Sequence, residues 1–296
     1  MNSYTPKIWR IVDVLKWSKD YLKGKGVESP QIEVEWILRD ILKCSRLDIY
    51  LKHDRPLSKE EISKFKKLLI KRASGTPIQY VLGYAEFMGL NFKVTPSVLI
   101  PRPETEVLVE KVLEVLRKDR WKKPVILDVG TGSGNIAISL AVKYSNCLVL
   151  GLDISSEVLE IAKLNATDNY VSGRVDFIKM DILKESPQSK RRFNIVVSNP
   201  PYVAGEWFRN LPEIVRKHEP VQALYPGKDE LIFYRRLGKL ANKLLSPDGI
   251  MIVEIGGTYQ EENVKNAFKK YNLGDFETVE DYLGQSRCIV ARLNKW

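Results

Sequence analysis

Cysteine and histidine are scarce in this chain. Its 296 residues hold three cysteines, Cys44, Cys147 and Cys288, and two histidines, His53 and His218. The cysteines stand far apart and form no C-x-x-C, so neither a zinc site nor a disulfide framework is expected, and no metal is assigned. Long apolar runs are missing too. Stretches such as Leu148–Leu152 are interrupted within a few residues, well below the ~18 that a membrane-crossing helix needs. The opening Met1–Arg10 has no apolar run and no small-residue cleavage site, so nothing reads as a secretory signal and a cytoplasmic location is expected. With 44% apolar and 28% charged residues, the composition excludes collagen, coiled coil and low-complexity scaffold.

What the chain does have is positive charge, +10 net at pH 7. The excess sits at the front, where residues 1–80 carry 17 lysines and arginines against 10 acidic residues. Such a bias suits an acidic partner or nearby nucleic acid, and solvated lysine-rich helix faces produce it as well.

The chain is long enough for two domains. From Trp9 to Ala73 apolar residues recur at helical spacing, as in Ile11, Val14, Leu15 and Ile37, Leu38, Ile41, Leu42, which predicts a helical bundle. Ser58, followed by Glu60 and Glu61, predicts a helix start. Around Gly75, Pro77 and Gly83 the pattern breaks, and Glu86–Val94 reads as a hairpin turning near Gly89. Beyond Trp121 short apolar strands are predicted at 125–129, 148–154, 175–180, 193–198 and 250–255, with two more at 276–281 and 287–293. Helices are predicted at 136–144, 156–168, 230–245 and 259–270. This alternation implies βαβ units and a mostly parallel sheet. The expected division is 1–84 helical, 85–106 a hairpin linker and 107–296 α/β, with 203–228 a loop that closes over a site.

The first α/β strand ends at Asp128-Val129 and runs into Gly130-Thr131-Gly132-Ser133-Gly134. Glycines permit a sharp turn and the close approach of a ligand to backbone. Asp153, at the end of the next strand, stands at about the spacing from which an acidic side chain binds ribose hydroxyls. A nucleotide-like cofactor is indicated. Gly132-Ser133-Gly134-Asn135-Ile136-Ala137 also satisfies a loose dinucleotide pattern, so the loop alone leaves a nicotinamide cofactor open, whereas a P-loop fails for want of a following Lys-Ser or Lys-Thr.

The strand at 193–198 delivers Asn199-Pro200-Pro201-Tyr202 at its carboxyl end, where open α/β sheets bind ligands. The prolines stiffen the backbone and remove two N–H donors. The Asn199 side chain and the Pro200 carbonyl supply two acceptors, and Tyr202 a ring, which together suit a planar group carrying NH2. Such a nitrogen is a poor nucleophile, so a site of this kind works chiefly by positioning.

These segments resemble class I S-adenosylmethionine-dependent methyltransferases that act on planar NH2 groups. With Arg72–Tyr80, Glu86–Gly89, Leu99–Glu106, Glu219-Pro220, Ala223-Leu224, Phe233-Tyr234 and Glu254-Ile255-Gly256, nearly the whole chain is similar to the peptide chain release factor glutamine methyltransferase (PrmC/HemK) family. The resemblance implies a Rossmann-like α/β methyltransferase domain behind a helical substrate-docking domain. It implies N5-methylation of the glutamine in the Gly-Gly-Gln motif of class I release factors, with S-adenosylmethionine as cofactor. Gly130, Thr131, Gly132, Ser133 and Gly134 would wrap the methionine part of the cofactor. Asp153 would bind its ribose, and Asp181 and Ile182 would border its adenine. Asn199 and Pro200 would accept from the glutamine amide, Pro201 would stiffen the segment, and Tyr202 would lie against the amide plane, with Asn199 also beside the cofactor. The helical domain would dock the release factor, with Lys64, Lys66, Lys67, Lys71 and Arg72 as the contacting charges.

The chain departs from the family pattern at His218 and at Gly227-Lys228-Asp229-Glu230, which bears on the loop rather than on the chemistry; His218 reads as a surface residue. Two other activities fit the same site. One is methylation of a ribosomal protein glutamine. The other is methylation of a nucleic-acid exocyclic NH2, with Tyr202 stacked on a flipped base, although residues 1–80 carry no nucleic-acid motif and stable nucleic-acid binding is not expected.

Overall fold

The computed structural model describes residues 8–118, 121–188 and 192–294; the opening Met1–Lys7 lies outside them. The chain divides between Gly83 and Tyr84 into two units, each with its own core.

The first unit consists of α1 (Ile11–Lys23), α2 (Pro30–Leu42), α3 (Arg46–Leu51), α4 (Lys59–Ala73) and α5 (Ile78–Leu82). Ser58 opens α4 as its sequence predicts. Its Oγ accepts from the Glu61 N–H at 3.1 Å, and the Glu61 carboxylate accepts from the Ser58 N–H at 2.8 Å. Two donors that a helix start leaves unpaired are thereby satisfied. Ser45 and Asp48 open α3 in the same way. Ile11, Val14, Ile37 and Leu38, from the predicted helical pattern, are buried with Phe65 and Leu69.

The basic group expected to face a partner is smaller than the sequence suggests. Arg72 is buried and paired with Glu33, and Lys71 Nζ donates to the Tyr80 carbonyl at 3.1 Å. Lys64, Lys66 and Lys67 remain exposed.

The second unit begins with a hairpin, β1 (Tyr84–Phe87) and β2 (Leu90–Lys93). It turns through Met88 and Gly89, both at positive φ. Phe87 and Phe92 are buried in this unit's core, so the hairpin is built into the α/β unit rather than standing apart as a linker. There follow α6 (Pro103–Lys118), β3 (Val125–Val129), α7 (Asn135–Lys143), β4 (Leu148–Asp153), α8 (Ser156–Asp168), β5 (Val175–Lys179) and β6 (Phe193–Ser198). Then come α9 (Gly205–Asn210), α10 (Glu213–His218), α11 (Val221–Leu224), α12 (Ile232–Leu244), β7 (Leu245–Glu254), α13 (Thr258–Lys269), β8 (Leu273–Glu280) and β9 (Ser286–Leu293).

The seven strands lie in the order β5-β4-β3-β6-β7-β9-β8, parallel from β5 to β7, with β9 antiparallel to both of its neighbours. Successive side chains of a strand face opposite ways, and both faces here are apolar. Ile126, Ile195, Val197, Ile250 and Ile252 pack with α6, α7 and the hairpin, while Leu127, Val129, Val196, Met251 and Val253 pack with α12 and α13. This two-sided burial is what a mostly parallel sheet requires. From β3 the chain passes to β4 on one side, and β6 returns on the other, which opens a crevice beyond the carboxyl ends of these strands.

The chain departs from expectation in two places, the first beside that crevice and the second at the opposite, amino-terminal end of β6. The 203–228 segment contains the three short helices α9, α10 and α11 rather than plain loop. Strand β7 begins at Leu245, and its Ser246–Gly249 segment is absorbed by a register shift opposite Phe193 and Ile195.

Candidate functional site

The loop after β3 folds back on β4. The Gly130 and Thr131 N–H groups both donate to the Leu152 carbonyl at 2.8 Å. Gly130, Gly132 and Gly134 all have positive φ, the region glycine enters without steric cost. They differ in surroundings. A Cβ on Gly132 would meet nothing within 4 Å, whereas one on Gly134 would lie 2.8 Å from Ile138 Cδ1 and 3.3 Å from Ala162 and Phe177. Gly132 keeps space open, and Gly134 lets α7 pack on α8 and β5.

Two carboxyls secure this loop. Asp128 is fully buried and accepts from the Thr131 hydroxyl at 2.6 Å; burial pushes its pKa up to about 7 in spite of that bond. Asp153 accepts from the Gly132 N–H at 3.1 Å and from the Ser155 N–H at 3.0 Å. Burial raises its pKa against the pull of those donors.

On the neighbouring strand, Ser198 of β6 pairs with Val129 of β3, and its Oγ donates to the Val129 carbonyl at 2.7 Å. Asn199 therefore emerges beside Gly130, whose Cβ, if present, would lie 4.0 Å from the Asn199 carbonyl oxygen. Asn199 Nδ2 donates to Thr105 Oγ1 at 3.1 Å. The Tyr202 hydroxyl donates to Glu254 Oε1 at 3.3 Å, and its carbonyl accepts from Gln260 Nε2 at 3.3 Å. Burial, reinforced by the nearby Glu254 charge, raises the phenol well above its ordinary pKa.

These segments surround a cleft of about 530 Å³, inside the ~300–1,000 Å³ range of small-molecule and cofactor sites. Gly130, Thr131, Gly132, Ser133, Asp153, Asp181, Ile182, Asn199, Pro200 and Pro201 all line it. Gly134 and Tyr202 do not: the first is closed in by α7 and its neighbours, and the second is turned toward Glu254 and Gly256. Asp181 caps its own turn, accepting from the Leu183 N–H at 3.0 Å and pairing with Lys184 at 3.1 Å.

Pro220, Gln222, Ala223, Tyr225 and Pro226 supply another wall, so part of the 203–228 segment does border the cleft. Glu219 holds it there, accepting from Arg102 Nη2 at 2.5 Å and from the Ile100 N–H at 3.2 Å. His218 is half-buried and off the wall.

The sequence reading gave no individual role to Arg102, Thr105, Glu219 or Glu254. Each belongs to a segment that carries the family resemblance, and that was the only signal for it. Among the described residues no cluster of histidine, cysteine and carboxyl groups could hold a metal ion, and no helix is long and apolar enough to cross a membrane.

Comparison with known proteins agrees with this layout. Residues 13–83 match the family described as PrmC N-terminal domain, and residues 122–289 match a methyltransferase domain. The release factor glutamine methyltransferase of Geobacter sulfurreducens is 39% identical over 97% of this chain and 98% of its own. Those of Clostridium botulinum and Bacillus cereus are 37% and 35% identical, over 95% and 96% of this chain and 98% and 99% of theirs. Among solved structures, the hMettl16 catalytic domain in complex with MAT2A 3′UTR hairpin 1 is similar with a TM-score of 0.59 at 14% identity, covering 94% of this chain and 92% of that one. At that identity the likeness is one of fold.

Proposed function

Because the chain belongs to the release factor glutamine methyltransferase family, we propose that it methylates the side-chain amide nitrogen of the glutamine in the Gly-Gly-Gln motif of a class I peptide chain release factor, with S-adenosylmethionine as donor. One observation carries the reading at the level of chemistry. Asn199 and Pro200 share a cleft wall with the Gly130–Ser133 loop and Asp153, so acceptors for an amide stand beside a loop suited to a nucleoside with an amino-acid tail.

The residues present fit that cofactor. The space beside Gly132 admits a ligand against backbone, Asp153 at the end of β4 suits ribose hydroxyls, and Asp181 and Ile182 border the far part of the cleft. When bound, S-adenosylmethionine supplies an electrophilic methyl group on a sulfonium, and its sulfur leaves as a neutral thioether.

The rest falls to the chain. The Asn199 Oδ1 and the Pro200 carbonyl accept the two amide hydrogens, which holds the nitrogen at near-attack distance and favours positive charge building on it. The nitrogen gains a methyl and releases one proton to water, so no side-chain base is needed. Tyr202, off the cleft wall, steadies the Asn199–Pro201 segment from behind rather than stacking on the substrate. The first unit, with Lys64, Lys66 and Lys67 exposed, serves to dock the release factor. A substrate of the translation machinery supports the expected cytoplasmic location.

The test is incubation with S-adenosylmethionine and a full-length release factor, then mass spectrometry of the Gly-Gly-Gln peptide. A gain of one methyl on the glutamine is expected. No gain from protein that still binds the cofactor would overturn the substrate, and the same assay on ribosomal proteins and nucleic acid would then find the acceptor.

A further inference from the structure

The side-chain amide of Asn199 is nearly symmetric in shape and opposite in chemistry at its two ends. Oδ1 accepts hydrogen bonds and Nδ2 donates them. Accepting a substrate N–H requires Oδ1 to face the cleft; a half-turn would set donor against donor. Something must choose between the two orientations.

Thr105 on α6 lines the cleft, is only 2% exposed, and has its Oγ1 3.1 Å from Asn199 Nδ2. A hydroxyl alone cannot make the choice, since it donates or accepts equally well. Its other neighbour can. Glu254, at the end of β7, is 1% exposed, and the Thr105 hydroxyl is close enough to pull its pKa down against the rise that burial causes. The pairing of Ser198 with Val253 brings the next residues, Asn199 and Glu254, side by side. Glu254 Oε2 is buried without a hydrogen-bond partner, and an ionised carboxylate accepts only, so a Thr105 proton directed to it would leave the Thr105 oxygen to accept from Nδ2.

We propose that Thr105 and Glu254 are positioning residues that fix the Asn199 amide with its oxygen toward the substrate. The inference rests on the glutamine-methylating reading above and assigns that site two residues whose effect passes through Asn199.

The test uses full-length protein and a full-length release factor at pH 8.5, above the value of about 7 to which burial pushes Glu254. Thr105→Val, similar in size but unable to hydrogen-bond, should lower kcat roughly 10- to 100-fold, as loss of an orienting partner commonly does. The KM for the release factor and the Kd for S-adenosylmethionine should change little. Thr105→Ser should restore most of kcat. Glu254→Gln, which can donate as well as accept, should lower kcat with cofactor binding kept, and serves if the valine variant misfolds. In selectively 15N-labelled protein, the Asn199 NH2 resonance should shift in Thr105→Val and stay in place in Thr105→Ser.

An unchanged kcat in Thr105→Val would overturn the proposal while leaving the methylation reading intact. A serine variant as slow as the valine one, or a cofactor affinity falling in step with kcat, would also overturn it. Wild-type protein inactive on the release factor would remove the methylation reading and this inference together, a result separable from the other three.

Discussion

Glu219 and Arg102, 117 positions apart, form an ion pair at 2.5 Å in which the Glu219 side chain is 1% exposed and the Arg102 side chain 32%. Removing the arginine would leave a buried carboxylate without its counter-charge, a loss on the order of 3 kcal/mol for such pairs. The least costly relief is for the 203–228 segment to swing outward. Arg102→Ala should therefore become sensitive to limited proteolysis within 203–228 and bind S-adenosylmethionine more weakly. Mapping the cleavage sites by mass spectrometry beside wild type checks this; an unchanged digestion pattern would show that the segment is held by other contacts.

Asn199→Ala and Asp153→Ala should separate catalysis from cofactor binding. The first removes an acceptor for the reacting amide and should cost orders of magnitude in kcat with little change in cofactor Kd. The second should chiefly weaken cofactor binding. Because Asp153 also accepts from the Gly132 N–H, some of that weakening will come from a loosened glycine loop. Calorimetric titration and steady-state turnover on both variants measure the two effects.

The buried acids give the ligand-free protein an unusual pH dependence. Asp128 and Glu254 are both pushed up to about 7 by burial, and Asp153 is raised as well. Between their unfolded and folded pKa values the native state holds protons that the unfolded chain has released, so their contribution to stability falls as pH rises from about 4 to 7. Asp128→Asn should remove one share of that fall, on the order of 3 kcal/mol. Urea unfolding at pH 5 and pH 8 should show the variant gaining on wild type at the higher pH. Parallel curves would mean that Asp128 keeps its ordinary pKa in solution.

The exposed lysines of α4 should matter only for a large substrate. Lys64→Glu, Lys66→Glu and Lys67→Glu combined should lower kcat/KM for the full-length release factor and leave a short Gly-Gly-Gln peptide unaffected, with the difference shrinking as salt screens the charges. Equal activity of variant and wild type on the full-length factor would exclude this face as the docking surface. Arg72 does not belong in that set, because reversing a buried charge paired with Glu33 would damage the unit itself.

Much of this architecture was legible because its signals are local. Alternating strands and helices declared a parallel sheet, Ser58 with Glu61 declared a helix start, and the glycines after Val129 declared a turn open to ligand. What escaped was either too short or too distant. Helices α9, α10 and α11 span only four to six residues each, so helical periodicity has no length over which to appear. The early start of β7 was hidden because Ser246-Pro247-Asp248-Gly249 spells a turn. Thr105, Asn199 and Glu254 come from three elements, and no spacing along the chain announces a contact that only the folded sheet creates. The same holds for Arg72, which composition counts as a surface charge until Glu33 is placed against it.

The pairing of Val129 with Ser198 has a consequence for how this enzyme can vary. Gly130 and Asn199 are the first residues beyond two neighbouring, hydrogen-bonded strands, whose separation in any sheet is about 4.8 Å. The gap between the two loops is thus a property of backbone geometry rather than of side-chain rotamers. Repacking α6, α7, α12 or α13 can tilt or shift the sheet, and both loops then travel together with their spacing preserved. Drift in the layers around the sheet is consequently tolerated, and the reaction distance is passed on unchanged to descendants whose cores share few side chains.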